Sequence, residues 1–124
     1  MNLFDLTCGI VLLLLKLTSA SSIYSQRDVA FDVANELKKS IEGYVFLRGS
    51  PDYEVARPVH NGACRFIFPL LIVKPLNTHD VATTVRTAVK YGIELSVRSG
   101  GHSYQCTGTK ASRFLSIHSV HRNE

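Results

Sequence analysis

The sequence predicts an α+β fold built around a β-α-β unit. Three observations predict it. An apolar, branched run ends at Val73 and is stopped by Pro75, as a buried strand would be. Val81, Val85, Ala88 and Val89 then recur at helical spacing. Ile93 to Val97 reads as a second strand and runs directly into Ser99-Gly100-Gly101. With 124 residues, 45% of them hydrophobic and 19% charged, the chain can bury one modest core.

Taken in order, residues 1–20 read as a secretory signal. Cys8 to Leu15 is nearly all apolar, and Thr18-Ser19-Ala20 offers small residues for cleavage. The apolar run is shorter than the roughly 20 residues a bilayer span needs, so no stable membrane span is expected. Asp5 and Lys16 depart from the usual signal pattern, and a buried N-terminal helix or strand is the competing reading. A signal implies a secreted or secretory-pathway protein. Cys64 and Cys106 would remain after cleavage, either as a disulfide or as two buried thiols.

Residues 21–66 form an N-terminal helix and an extended arm. The helix is expected over Ser25–Ile41, with Ser25-Gln26-Arg27-Asp28 as an approximate capping box. Phe31, Ala34, Leu37, Lys38 and Ile41 would lie near one face, and Gly43 would end the helix. Gly49-Ser50-Pro51-Asp52 is turn chemistry, and Tyr53 to Gly62 reads as irregular chain.

Residues 67–124 carry the β-α-β unit. Pro69 lacks a donor, which confines the first strand to Leu70–Val73. Asn77 or Thr78 caps the next helix, Asp80 sits in its first turn, and Gly92 suits the left-handed residue beyond its end. Two parallel strands joined in this way require a crossover, expected to be right-handed. A last strand is expected over Phe114–Val120, with Leu115 and Ile117 inward and Ser116 and His118 outward.

The loop Arg98-Ser99-Gly100-Gly101-His102-Ser103-Tyr104 therefore lies at the carboxyl end of the second strand, where open α/β sheets place ligands. Consecutive glycines allow a sharp turn whose N–H groups can cradle a phosphate, and His102 puts an imidazole beside it. Arg98 would reinforce phosphate charge, anchor the loop, or pair with Glu94. A formal net charge of +4 suits an anionic ligand. Lys and Arg are scattered singly apart from Lys38-Lys39, which disfavours nucleic acid. His118 and His121 have no Cys or carboxylate cluster beside them, so no metal site is expected. The chain also lacks a Gly-x-Ser-x-Gly elbow, a Walker A lysine motif and a Gly-x-Gly-x-x-Gly fingerprint.

Pro75-Leu76-Asn77-Thr78-His79-Asp80-Val81, the apolar helical pattern, and Leu95-Ser96-Val97-Arg98-Ser99-Gly100-Gly101-His102-Ser103-Tyr104 together resemble the FAD-linked oxidases. These are the vanillyl-alcohol oxidase and p-cresol methylhydroxylase superfamily, and the similarity is to its berberine-bridge-enzyme-like branch. It runs from about Gly49 to about Val120 and is densest between Leu71 and Tyr104. Phe114-Leu115-Ser116 stands where an Asp-Leu-Ser type string often occurs in that family.

The resemblance implies a partial FAD-binding domain of p-cresol methylhydroxylase type, its first α/β subdomain. It implies FAD with its pyrophosphate on Arg98, Ser99, Gly100, Gly101, His102, Ser103 and Tyr104, and His102 as a point of covalent attachment to the flavin 8α-methyl carbon. It assigns no catalytic residue here. Family members are several hundred residues long, so the chain reads as a truncated oxidase of small alcohols, sugars or amines. Substrate and oxygen would then be partners only with the missing domains present, and the chain alone would have little turnover. A non-catalytic flavin- or nucleotide-binding remnant, or a structural protein, is the alternative.

Overall fold

The computed structural model describes residues 3–111 and 114–119. Its elements are helix α1 (Leu3–Ser40), strand β1 (Tyr44–Leu47), short helix α2 (Pro51–Ala56), a 3-10 turn (Gly62–Phe66), β2 (Leu71–Lys74), α3 (Thr78–Lys90), β3 (Glu94–Arg98) and β4 (Phe114–His118). The four strands form one sheet in the order β1-β2-β4-β3. β4 pairs parallel with both β2 and β3, while β1 adds an antiparallel edge to β2. The expected α+β class and β-α-β unit are present. The crossover through α3 skips one strand position, which β4 fills.

The expected outward placement of Ser116 and His118 is corrected by this order. β4 lies inside the sheet, and Leu115, Ser116, Ile117 and His118 are all buried. Alternation still holds, but both sheet faces are covered. One face carries Val45, Leu71, Val73, Leu115 and Ile117 against Val33, Ala34 and Leu37 of α1. The other carries Ile72 against Tyr53 and Ala56 of α2. The Tyr53 hydroxyl donates to the Pro69 carbonyl at 2.7 Å, and burial pushes its phenol up to about 12.

Helix α1 runs without a break through Ser25, so the expected capping box starts no helix. Its buried face is Ala30, Val33, Ala34 and Leu37, whereas Phe31 is exposed. The stripe expected from the sequence is thus out of phase at its first member. Residues 7–13 of the same helix are exposed. Among the described residues, no helix is long and apolar enough to cross a membrane.

α2 takes up residues expected as turn and irregular chain, and β1 forms over residues for which no element is expected. Gly49 has φ +93°, Ser50 caps α2 by accepting from the Tyr53 N–H, and Pro51 occupies the first turn where no donor is needed. Gly43 does not merely end α1. It lets β1 pass close to β2, because a Cβ there would collide with the Lys74 carbonyl.

On α3 the buried residues are Asp80, Thr84, Thr87 and Ala88, while Val81, Val85 and Val89 are exposed, Val89 at 75%. The valine stripe is therefore the wrong face, apart from Ala88. Asp80 explains why the helix is rotated. Its carboxylate accepts from the backbone N–H groups of Glu42 (3.0 Å), Gly43 (2.9 Å) and Leu76 (2.9 Å). Burial opposes its ionisation, but these donors outweigh that and hold the carboxyl below its ordinary value. Asn77 caps the helix by accepting from the Asp80 N–H, and Gly92 follows it with φ +63°, as expected. The residues expected beyond Ser119, including His121, lie outside the described part of the chain.

Candidate functional site

At the carboxyl end of β3 the chain leaves the sheet and borders an open cavity of about 330 Å³. Val97, Arg98, Ser99, Gly100, Gly101 and His102 line one part of it, and Ser103, Thr107 and Gly108 complete it. Six of the seven loop residues singled out in the sequence are thus brought together. The seventh, Tyr104, is not among the lining residues and is 90% exposed.

Arg98 is the floor of the loop. Its guanidinium donates to the carbonyls of Ala56 (2.9 Å) and Arg57 (3.1 Å), and burial lowers its pKa. Of the roles open to it, these hydrogen bonds are those of an anchor, and the pairing with Glu94 does not form. Gly101 stands above it with φ +75°, and a Cβ there would lie 2.9 Å from Arg98 Nε. A Cβ on Gly100 would lie 2.8 Å from Cδ2 of His102. Both glycines are therefore required by close approach as well as by the turn itself. Ser103 closes the far side: its hydroxyl shares a hydrogen bond with Thr107 Oγ1 at 2.8 Å and accepts from the Thr107 N–H.

The residues that hold this loop from outside form no motif in the sequence. The His60 N–H donates to the Gly101 carbonyl at 3.2 Å, and the His60 and His102 rings lie 4.6 Å apart. Asn61 Nδ2 donates to the Tyr104 carbonyl at 2.9 Å. Cys64 and Cys106 form a disulfide, which decides between the two readings of these cysteines. That cysteine pair is the signal available in the sequence, since it joins the segment after α2 to the segment after the glycines.

This arrangement suits an anionic group. Within the described residues, no hydrogen bond uses the backbone N–H of Gly100, Gly101, His102, Ser103 or Tyr104. No acidic residue occurs between Glu94 and Glu124. Register places Arg98 opposite His118 at the same end of the sheet. Burial, then the nearby charges of Arg98 and Lys74, push the His118 imidazole down to about 4, so it is neutral at pH 7. Donors without acceptors, glycines that admit close approach and a lining without acidic residues are what a phosphate cradle requires.

No protein-family model matches the chain. An FAD-linked oxidoreductase of Dictyostelium discoideum is 32% identical over 83 residues, which is 67% of this chain and 18% of that protein. In fold, the chain is similar to BBE-like 1 of Physcomitrella patens, with a TM-score of 0.61, 26% identity, and coverage of 70% of this chain and 19% of that one. It is also similar to 6-hydroxy-D-nicotine oxidase of Arthrobacter nicotinovorans, with a TM-score of 0.59 and 32% identity over 64% of this chain and 17% of that one. The chain thus spans less than a fifth of the length of these relatives.

Proposed function

We propose that this chain, a relative of the FAD-linked oxidoreductases in sequence and in fold, is an FAD-binding segment of a flavin-dependent oxidase. The observation that carries the reading is the set of backbone donors on the Gly100-Gly101 turn, unused among the described residues, beside a cavity at the carboxyl end of β3. Ser99, Gly100, Gly101, His102 and Ser103 would hold the pyrophosphate through backbone contacts, with Arg98 fixing the loop beneath them. When bound, FAD supplies hydride acceptance, while the protein binds and orients it.

His102 is proposed as the attachment point, an imidazole nitrogen bonding the flavin 8α-methyl carbon. Attachment would release one proton from the methyl carbon and one from the His102 imidazole nitrogen, with dioxygen as the two-electron oxidant and peroxide as its product. The substrate of the whole enzyme would be a small alcohol, sugar or amine, and residues outside this segment would contact it. Turnover by the 124-residue chain alone is expected to be slight. Residues 1–20 are proposed to direct the protein into the secretory pathway; the disulfide is compatible with that oxidising route.

Titrating the chain with FAD, followed by flavin fluorescence, tests the binding. Riboflavin, which has the ring but no pyrophosphate, is the control. Saturable binding of FAD with riboflavin much weaker is the expected result. Failure to take up either flavin would overturn the reading, and equal binding of both would remove the pyrophosphate seat from it.

A further inference from the structure

We propose that His60 is a positioning residue for His102, its ring setting the direction in which the His102 imidazole is presented to the cavity. This rests on the assignment of His102 as the flavin attachment point. The His102 ring has two close neighbours. A Cβ built on Gly100 would lie 2.8 Å from Cδ2 and 3.2 Å from Nε2 of His102, so the ring is folded over the Gly100 backbone. The His60 ring stands against it as well, with centroids 4.6 Å apart and planes inclined at 48°. A tilted pair at this separation is a favourable ring arrangement.

The placement of His60 is itself held at several points. Its backbone N–H donates to the Gly101 carbonyl, the next residue donates to the Tyr104 carbonyl, and the disulfide at Cys64 ties the two segments covalently. The His60 ring is thus delivered to His102 by the backbone. His102 is exposed, and an exposed side chain otherwise samples several staggered rotamers. A nucleophile must be held close to its attack geometry, and a displacement of about 1 Å can cost on the order of a hundredfold in rate.

The test compares the 124-residue chain with His60→Ala, which removes the ring, and His60→Phe, which keeps an aromatic face. Both retain the backbone N–H, and because His60 is exposed both are expected to keep the wild-type melting temperature and disulfide. The first readout needs no flavin: the ring carbon–proton resonances of His102 in isotopically labelled protein. They are expected to shift in His60→Ala and to return toward the wild-type positions in His60→Phe.

The second readout is the rate at which added FAD becomes inseparable from acid-precipitated protein. It is expected to fall about tenfold in His60→Ala and to recover to within about twofold in His60→Phe, with reversible FAD affinity unchanged. His102 resonances that do not move in His60→Ala, or attachment at the wild-type rate, would overturn the proposal. Wild-type protein that binds FAD and never bonds it would instead overturn the attachment assignment, and a His102 shift in His60→Ala would still uphold the placement by His60.

Discussion

At the scale of single residues, two glycines show how far the glycine loop differs from an ordinary turn. Gly92 and Gly101 both have positive φ, but the space beside them differs. A Cβ on Gly92 meets nothing within 4 Å, whereas one on Gly101 meets the Arg98 guanidinium. Gly92→Ala should cost only the backbone contribution, about 1 kcal/mol in urea unfolding. Gly101→Ala should cost more and should also weaken FAD binding in the fluorescence titration, because Arg98 must move. Equal costs for the two, with FAD binding intact, would show that the close approach to Arg98 is immaterial.

His118 makes a second residue-scale prediction. Its folded pKa is about 4, against an ordinary 6.5, so the unfolded chain binds this proton more readily than the native one. Stability should therefore fall as pH drops from about 6.5 to about 4, by up to roughly 3 kcal/mol, and continue down only through other groups below that. Urea midpoints of the wild type and of His118→Gln, measured across that range, check it; the variant should show the shallower decline. Asp80 acts in a separate, lower window. Its depressed pKa lends stability that is present above the ordinary value of 3.8 and is lost as pH falls below it.

At the scale of elements, Asp80 joins three pieces of chain. It ties the turn after α1, through Glu42 and Gly43, to the approach to α3, through Leu76. This latch rotates α3 so that Thr84, Thr87 and Ala88 face inward and the valines face out. Asp80→Asn keeps the size but replaces one acceptor oxygen with a donor group that faces other donors. It should cost about 2–3 kcal/mol, read as a lowered melting temperature. A loss below about 0.5 kcal/mol would show that water substitutes for the carboxylate. Element identity is legible where one short-range signal dominates. Pro69 and Pro75 bracket β2, helical spacing and the Gly92 stop mark α3, and Ile93–Val97 marks β3 to within a residue. β1 is not legible in the same way, although Tyr44-Val45-Phe46-Leu47 is rich in aromatic and branched side chains. Four residues carry too little periodicity to be distinguished from a turn.

At the scale of the molecule, the segment from α2 to the 3-10 turn acts as a clamp over the glycine loop. Arg98, His60, Asn61 and the disulfide are its attachments. The disulfide closes a sequence separation of 42 residues, for which chain entropy gives about 4 kcal/mol. Replacing both cysteines with serine should lower stability by about that amount and raise hydrogen exchange at the His60 amide, which donates to the Gly101 carbonyl across the clamp. Cys8→Ser should change neither, since Cys8 is free and exposed. Unchanged exchange at the His60 amide would mean that the hydrogen bonds alone hold the clamp.

The sequence by itself determined the β-α-β unit and the position of the glycine loop at the end of its second strand. Those follow from local rules: side-chain period, capping, and the backbone freedom of glycine. Only the tertiary structure decided that β4 lies between β2 and β3, that α3 turns its threonines inward, and that His60 stands against His102. Each of these joins residues far apart in the chain, and no local preference encodes which distant partner will supply an acceptor, a ring or a covering face.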